Sequence, residues 1–182
     1  MIQIRLHGRG GQGVVTAAEL IAISAFYQGK ESQAFPSFGV ERTGAPIEAF
    51  ARIDDSLIRT REHVYKPDVL IIQDPTLLGT VDVTKGCNNK TKVIINTTKS
   101  KNEININLPP ENIYTLDATK IALEELGRNI VNTVILGAFA KVTGLVSIES
   151  LKKAIEEKFK PKGPELVNKN IKAIERAYYL IN

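Results

Sequence analysis

Tryptophan is absent from the 182 residues, cysteine and methionine each occur once, and histidine occurs twice. A lone Cys87 leaves no disulfide to form within the chain, and no thiolate set for an iron–sulfur cluster. With two histidines beside it, the options for a metal centre are poor. No apolar run approaches the roughly 20 residues of a membrane span. The N-terminus lacks the charged, then apolar, then small-residue order of a secretory signal. The cytoplasm is the expected compartment, with no membrane partner.

Excess charge of one sign is also scarce. The net charge is +4, and residues 1–140 balance fifteen basic against fifteen acidic side chains. Residues 141–182 hold nine basic and five acidic side chains. Spread through helical patterns, those lysines read as solvated faces of amphipathic helices. Without interleaved aromatics or a recognised motif, no nucleic-acid partner is expected. Catalytic groups are equally thin. His7 and His63 pair with no acid and nucleophile, and His7, at the end of a strand, reads as a structural histidine. No catalytic residue and no metal ligand is assigned.

What the sequence does have is glycine in one place. Gly8-Arg9-Gly10-Gly11-Gln12-Gly13 follows Ile2, Ile4 and Leu6, which alternate with polar neighbours as in a strand. It precedes an apolar helix from Val14 to Phe26. Strand, glycine turn and helix together aim backbone N–H groups and a helix dipole at an anion. The spacing Gly8-x-Gly10-x-x-Gly13 matches the dinucleotide fingerprint, but the acid expected about 20 residues on is missing; Glu31 opens the second strand instead of closing it. Val14 and Val15 stand where a phosphate-transfer loop needs Lys and Ser or Thr. Neither NAD nor ATP is supported. Two readings stay open: an anion site, or a tight turn that lets the helix pack close.

Alternation predicts a strand over 47–53, continuous apolar runs of strand length predict buried parallel strands over 68–74 and 92–96, and short strands are expected over 31–35 and 113–116. Asp74-Pro75 ends the fourth strand, with a short helical turn after it. Residues 85–92, with Cys87, read as a polar surface connection. Asp117 or Thr119 caps a helix stopped by Gly127, and an apolar helix over 130–142 ends at Gly144. Ser147 caps the next helix. A last one starts near Pro164, with Val167, Ile171, Ile174, Tyr178 and Ile181 on one face. Strands alternating with helices, then a run of helices, imply an open, Rossmann-like, mostly parallel α/β sheet with helices on both faces. The whole of 1–182 reads as one domain, its helical C-terminal part beginning near 117. In such sheets the functional edge lies beyond the carboxyl ends of the strands. There the glycine loop, the 36–46 loop, Asp74 and Asn96-Thr97 are expected to converge. The 36–46 loop carries Phe38, Glu41 and Arg42, residue types that suit a protein interface.

Two motifs together, Arg9-Gly10-Gly11-Gln12-Gly13-Val14-Val15-Thr16 and Phe35-Pro36-Ser37-Phe38-Gly39-Val40-Glu41-Arg42-Thr43-Gly44-Ala45-Pro46, resemble the gamma subunits of the 2-oxoacid:ferredoxin oxidoreductase family. The likeness runs over nearly the whole chain. Residues 41–46 and 49–53 resemble its pyruvate branch; relatives acting on 2-oxoglutarate tend to carry a second glycine where Ala45 stands. The alternatives are 2-oxoisovalerate and 2-oxoglutarate enzymes, a scaffold within the same complex, or a stand-alone nucleotide-binding regulatory module. The resemblance implies a multi-subunit enzyme with alpha, beta and delta-type partners and ferredoxin as electron acceptor. It implies thiamine diphosphate with Mg and iron–sulfur clusters in the partner subunits, and coenzyme A as a substrate. Asn88-Asn89 lacks the Gly-Asp-Gly that precedes such a pair in thiamine sites. On the family reading, Arg9, Gly10, Gly11, Gln12 and Gly13 hold a coenzyme A phosphate, and Phe38, Glu41 and Arg42 face a partner.

Overall fold

The computed structural model describes residues 1–37 and 42–181. Six strands form its sheet: β1 (Ile2–Arg9), β2 (Glu31–Pro36), β3 (Pro46–Asp54), β4 (Val69–Ile72), β5 (Lys92–Asn96) and β6 (Ile113–Leu116). Helix α1 (Val14–Phe26) lies between β1 and β2, and α2 (Ala118–Leu126), α3 (Val131–Thr143), α4 (Ile148–Phe159) and α5 (Pro164–Leu180) follow β6. The strand order is β2-β3-β1-β4-β5-β6. β1, β4, β5 and β6 run parallel, whereas β3 is antiparallel to both β1 and β2. β1-α1-β2 is therefore a crossover between strands of the same direction, and β3 fills the gap between them.

The period of two along the strands separates the faces. Ile4 and Leu6 of β1 join Ala49, Ala51 and Ile53 of β3 in one apolar core. Residues from all five α-helices complete that core. On the opposite face a smaller cluster gathers Leu70, Ile72, Val93, Ile95 and Ile113 from β4, β5 and β6. Leu77, from a 3-10 helix at Pro75–Gly79, and Val83 and Ile104, from irregular segments, cover it. The open α/β class expected from the sequence holds, but its helices are not on both faces. The segments between β4, β5 and β6 are too polar and too interrupted for an apolar helical stripe, so 3-10 turns and extended chain close the second side.

Under that cover the same face of β1 and β3 carries Arg5, His7, Phe50 and Arg52, all buried. Arg5 donates to three carbonyls, of Val64 (3.3 Å), Val83 (2.9 Å) and Lys85 (2.6 Å). Carbonyl oxygens turned inward by the 64–85 segment thus satisfy a cation that no carboxylate balances. Residues 85–92 are not simply a surface connection. Thr91 is fully buried and its hydroxyl donates to the Pro67 carbonyl at 2.9 Å. Cys87 is half-buried against the second core, 3.9 Å from an Arg5 nitrogen, and burial pushes its thiol up.

Candidate functional site

The carboxyl ends of β1, β4 and β5 bring together most of what the sequence singled out. The glycine turn is locked from within: Gln12 Oε1 accepts the Arg9 N–H at 2.8 Å and the Gln12 N–H donates to the Arg9 carbonyl at 3.0 Å. Gly13 is the N-cap of α1 with φ 70, and Gly11 at the tip has φ 91. Close approach explains the others. A Cβ on Gly8 would lie 2.5 Å from Val14 Cγ2, and one on Gly10 would lie 2.2 Å from the Arg42 carbonyl oxygen. One on Gly13 would meet Asn132 Nδ2 at 2.3 Å, whereas at Gly11 the nearest atom is Thr43 Cγ2 at 3.9 Å. Packing therefore demands glycine at three positions, and backbone conformation alone demands it at Gly11.

The 42–46 segment is stitched to this turn. The Gly10 N–H donates to the Ala45 carbonyl (2.9 Å) and the Gly44 N–H to the Gly10 carbonyl (3.0 Å). Arg42 is exposed, with no carboxylate within ion-pair distance among the described residues. Phe38 and Glu41, the other expected interface residues, lie outside the described residues.

Asp74 holds the turn from the β4 side. It caps the 3-10 helix at Pro75–Gly79. Its Oδ1 accepts from the Thr76 N–H (3.0 Å) and hydroxyl (2.6 Å). Its Oδ2 accepts from Gln12 Nε2 (2.9 Å) and lies 3.2 Å from Arg9 Nε. Arg9 also reaches the Thr76 hydroxyl and the Gly44 carbonyl. Burial opposes the charge of Asp74, but bonds from Thr76 and Gln12 and the Arg9 guanidinium outweigh it and hold the carboxyl below its usual range. Two parts of the expected anion site are engaged within the protein. Gly10 and Gln12 have their N–H groups bonded inside the protein, and the Arg9 charge is neutralised by Asp74. The donors left without such a bond, among the described residues, are Gly11, Gly13 and the first turn of α1.

Since the native pKa of Asp74 is depressed, its contribution to stability is present above the ordinary carboxylate value and lost as pH falls through the lowered one. Asp74→Asn is expected to lower the unfolding free energy at pH 7 by on the order of 1 kcal/mol. The gap to wild type, read from urea midpoints, should narrow as the pH falls below the ordinary carboxylate range and through the lowered pKa.

Asn96 ties the next strand end to α2. Its Nδ2 donates to the Gln73 carbonyl (2.9 Å) and Thr119 hydroxyl (3.0 Å), and its Oδ1 accepts the Thr119 N–H (3.1 Å). Between these groups and the glycine turn lies a polar cavity of about 120 Å³, lined by Gln12, Gln73, Asp74, Asn96, Thr119 and Asn129. Gln73 is 1% exposed, and among the described residues neither of its amide atoms has a partner; nor does the buried Oδ1 of Asn132. Sequence reasoning missed Gln73, Thr119, Asn129 and Asn132. The signal for two of them is polar asparagine at the entry to an otherwise apolar helix. Outside this cavity, Thr97, Asp117, Lys120 and Leu123 border an open hollow of about 480 Å³.

His7 does not join the site. It lies beneath the second face with Nδ1 3.6 Å from Glu48 and Nε2 buried without a partner. Burial, helped by the neighbouring Arg5 charge, lowers its pKa to about 3. A group so weakly basic is neutral and ill-matched to proton transfer near neutral pH. No group of three or more His, Cys, Asp or Glu among the described residues could hold a metal, and a single thiol does not fit an iron–sulfur cluster. No described helix is long and apolar enough to cross a membrane.

Open sheet, glycine turn into a buried helix and a polar carboxyl edge define a Rossmann-like α/β protein. The chain belongs to the pyruvate ferredoxin/flavodoxin oxidoreductase family, whose model matches residues 3–180. It is 56% identical over 178 residues to the pyruvate synthase subunit PorC of Methanocaldococcus jannaschii, covering 98% of this chain and 96% of that one. It is 54% identical over 180 residues to the pyruvate/ketoisovalerate oxidoreductases common subunit gamma of Thermococcus kodakarensis, again covering 98% and 96%. The crystal structure of pyruvate oxidoreductase subunit PORC from Thermotoga maritima superposes with a TM-score of 0.84 at 37% identity, covering 100% of this chain and 97% of that one.

Proposed function

We propose that the chain is the gamma subunit of a cytoplasmic pyruvate:ferredoxin oxidoreductase. That enzyme converts pyruvate, coenzyme A and oxidised ferredoxin to acetyl-CoA, carbon dioxide and reduced ferredoxin, reversibly. The observation that carries the reading is identity above one half, along the full length, to chains that bear this subunit's name. The Thermococcus name favours a second substrate, 2-oxoisovalerate, for the same gamma chain. If one gamma subunit serves two such enzymes, the choice of 2-oxoacid is made on other subunits. Thiamine diphosphate with Mg, and the iron–sulfur clusters, belong on the alpha, beta and delta-type partners in this reading, since the donor set here fits neither.

The role assigned to this chain is to hold and orient coenzyme A. Its phosphates would lie against Gly11, Gly13 and the first turn of α1, where unpaired N–H groups and the helix dipole favour an anion. Gln12, Asp74 and Arg9 keep that turn in shape, with Gly10 anchoring it to the 42–46 segment. A phosphate held this way needs no ribose-binding acid, which fits the fingerprint's missing carboxylate.

Gly11→Ala tests the assignment in the assembled enzyme. The new methyl meets only Thr43 Cγ2, at an ordinary contact distance of 3.9 Å, so the fold is destabilised by only about 1–2 kcal/mol, through the left-handed backbone. The KM for coenzyme A is expected to rise about tenfold, equivalent to roughly 1.4 kcal/mol of binding. Pyruvate-dependent release of carbon dioxide in the absence of coenzyme A should change little. Unchanged coenzyme A kinetics in a stable, assembled variant would make the loop a structural turn only. Co-purification with a pyruvate-oxidising complex tests the family role separately.

A further inference from the structure

We propose that the free edge of β2 is a strand-addition site for an extended acidic segment of a partner subunit. The inference rests on the chain's being one subunit of an oxidoreductase complex, and adds where a partner binds and by what chemistry.

β2 is the outer strand of the sheet. The Ser37 N–H donates to the Glu48 carbonyl, and the β2–β3 register pairs Phe35 with Phe50 and Gln33 with Arg52. Antiparallel pairing alternates bonded and non-bonded pairs. In this register Phe35 and Gln33 therefore bond inward to β3, while Ser32 and Ala34 direct their N–H and C=O groups outward. No bond to those outward groups is formed among the described residues. Pro36, the next outward position, offers a carbonyl but no N–H, which ends the usable edge. The open length suits an addition of about four residues, the span over which Ser32 and Ala34 each exchange two bonds.

A groove of about 340 Å³ runs beside this edge, lined by Gln33, Ala34, Phe35 and Arg61. Its charge selects the occupant. Arg61 and Arg59 are exposed, and neither lies within ion-pair distance of a carboxylate among the described residues. Arg52 lies beneath, its guanidinium 5.0 Å from the Phe35 ring centroid, with one nitrogen buried and unpartnered. Lys30 and Asp55 neutralise each other nearby, and Glu62 and the exposed Glu31 at the start of β2 offset part of the remaining charge. The balance around the groove stays positive. An extended segment carrying Asp or Glu would complete the ladder with its backbone and meet Arg61 with its side chain.

Hydrogen–deuterium exchange on the isolated full chain and on the purified complex tests this without any substitution. The Ser32 and Ala34 amides should exchange at least a hundredfold more slowly in the complex. Arg61→Glu should weaken assembly tenfold or more at low salt. Ala34→Pro, which removes an outward N–H while sparing the β2–β3 ladder, should abolish the protection of Ser32. A complex that forms with both amides unprotected overturns the strand-addition site and leaves the subunit role intact. Concentration-dependent protection in the isolated chain would make a second copy the occupant and overturn the proposal. Protection indifferent to Arg61→Glu overturns the acidic partner. Absence of any pyruvate-oxidising complex removes the subunit role and this proposal together.

Discussion

Gly137→Ala is expected to lower the unfolding free energy by about 2–3 kcal/mol, although it replaces a helical glycine by the best helix former. Gly137 sits in α3 where α5 crosses it. A Cβ there would lie 2.0 Å from the Ile174 carbonyl oxygen and 3.0 Å from Ala177 Cβ. The first contact is with backbone, so no side-chain rotation relieves it; α5 must move as a body. Its buried face of Ala173, Ile174 and Ala177 would lift from the core, and the 2.6 Å bond from the Thr133 hydroxyl to buried Asn170 would stretch. Against this the substitution gains about 1 kcal/mol of helix propensity. A fall in Tm of roughly 5–10 °C should follow for a chain of this length. Adding Ala177→Gly should recover only part of it, because the carbonyl contact remains. A variant as stable as wild type would mean that the two helices can separate at no cost.

That contact also marks where sequence reading stops. The start and end of α2 and the start of α4 were legible, because Asp117, Gly127 and Ser147 act through local geometry. The strands were legible from the alternation of Ala49 and Ala51 with Phe50 and Arg52 in β3, and from the continuous apolar runs of β4 and β5. For α5 the apolar spacing picked Val167, Ile171 and Tyr178, which are only half-buried, and passed over Ala173 and Ala177. Small residues carry little hydrophobic signal, and their value appears only when another backbone lies against them. Buried cations are hidden for a similar reason. Arg5 and Arg52 read as the polar side of half-exposed strands until the 55–91 cover supplies carbonyls such as those of Val64 and Val83.

At the site the division is the same. Gly8, Gly10, Gly11 and Gly13 are visible as a turn, and the convergence of Asp74 and Asn96 on it followed from strand order. The sequence does not say which glycine N–H groups are free, or that Asp74 is turned toward Arg9 and Gln12 rather than toward a ligand. Those facts depend on rotamers and on a segment some 30 residues away. Gln73 was hidden inside an apolar run, where a glutamine reads as the end of a strand.

The second large effect separates two roles of the turn. Gly10→Ala is expected to cut activity of the assembled enzyme by one to two orders of magnitude, while the isolated chain loses only about 1–3 kcal/mol of stability. The cause is a single close approach. Gly10 and the 42–46 segment exchange two backbone bonds, to Ala45 and from Gly44, and a Cβ on Gly10 would lie 2.2 Å from the Arg42 carbonyl oxygen. The sheet core does not depend on that segment, so the segment yields before the fold does. Once displaced, it withdraws the Gly44 carbonyl from Arg9 and leaves the turn held only by Asp74 and by the Gln12–Arg9 bonds within it. Arg42, exposed on the displaced segment, moves with it. If Arg42 faces a partner, Gly10→Ala should weaken assembly as strongly as Arg42→Glu, for which truncating a buried charge pair suggests about 2–5 kcal/mol. Gly11→Ala, one residue away, should leave assembly untouched and act on coenzyme A alone. Equal effects of the two substitutions on both assembly and coenzyme A would mean that the turn works as one rigid unit, and neither role could then be assigned to a single glycine.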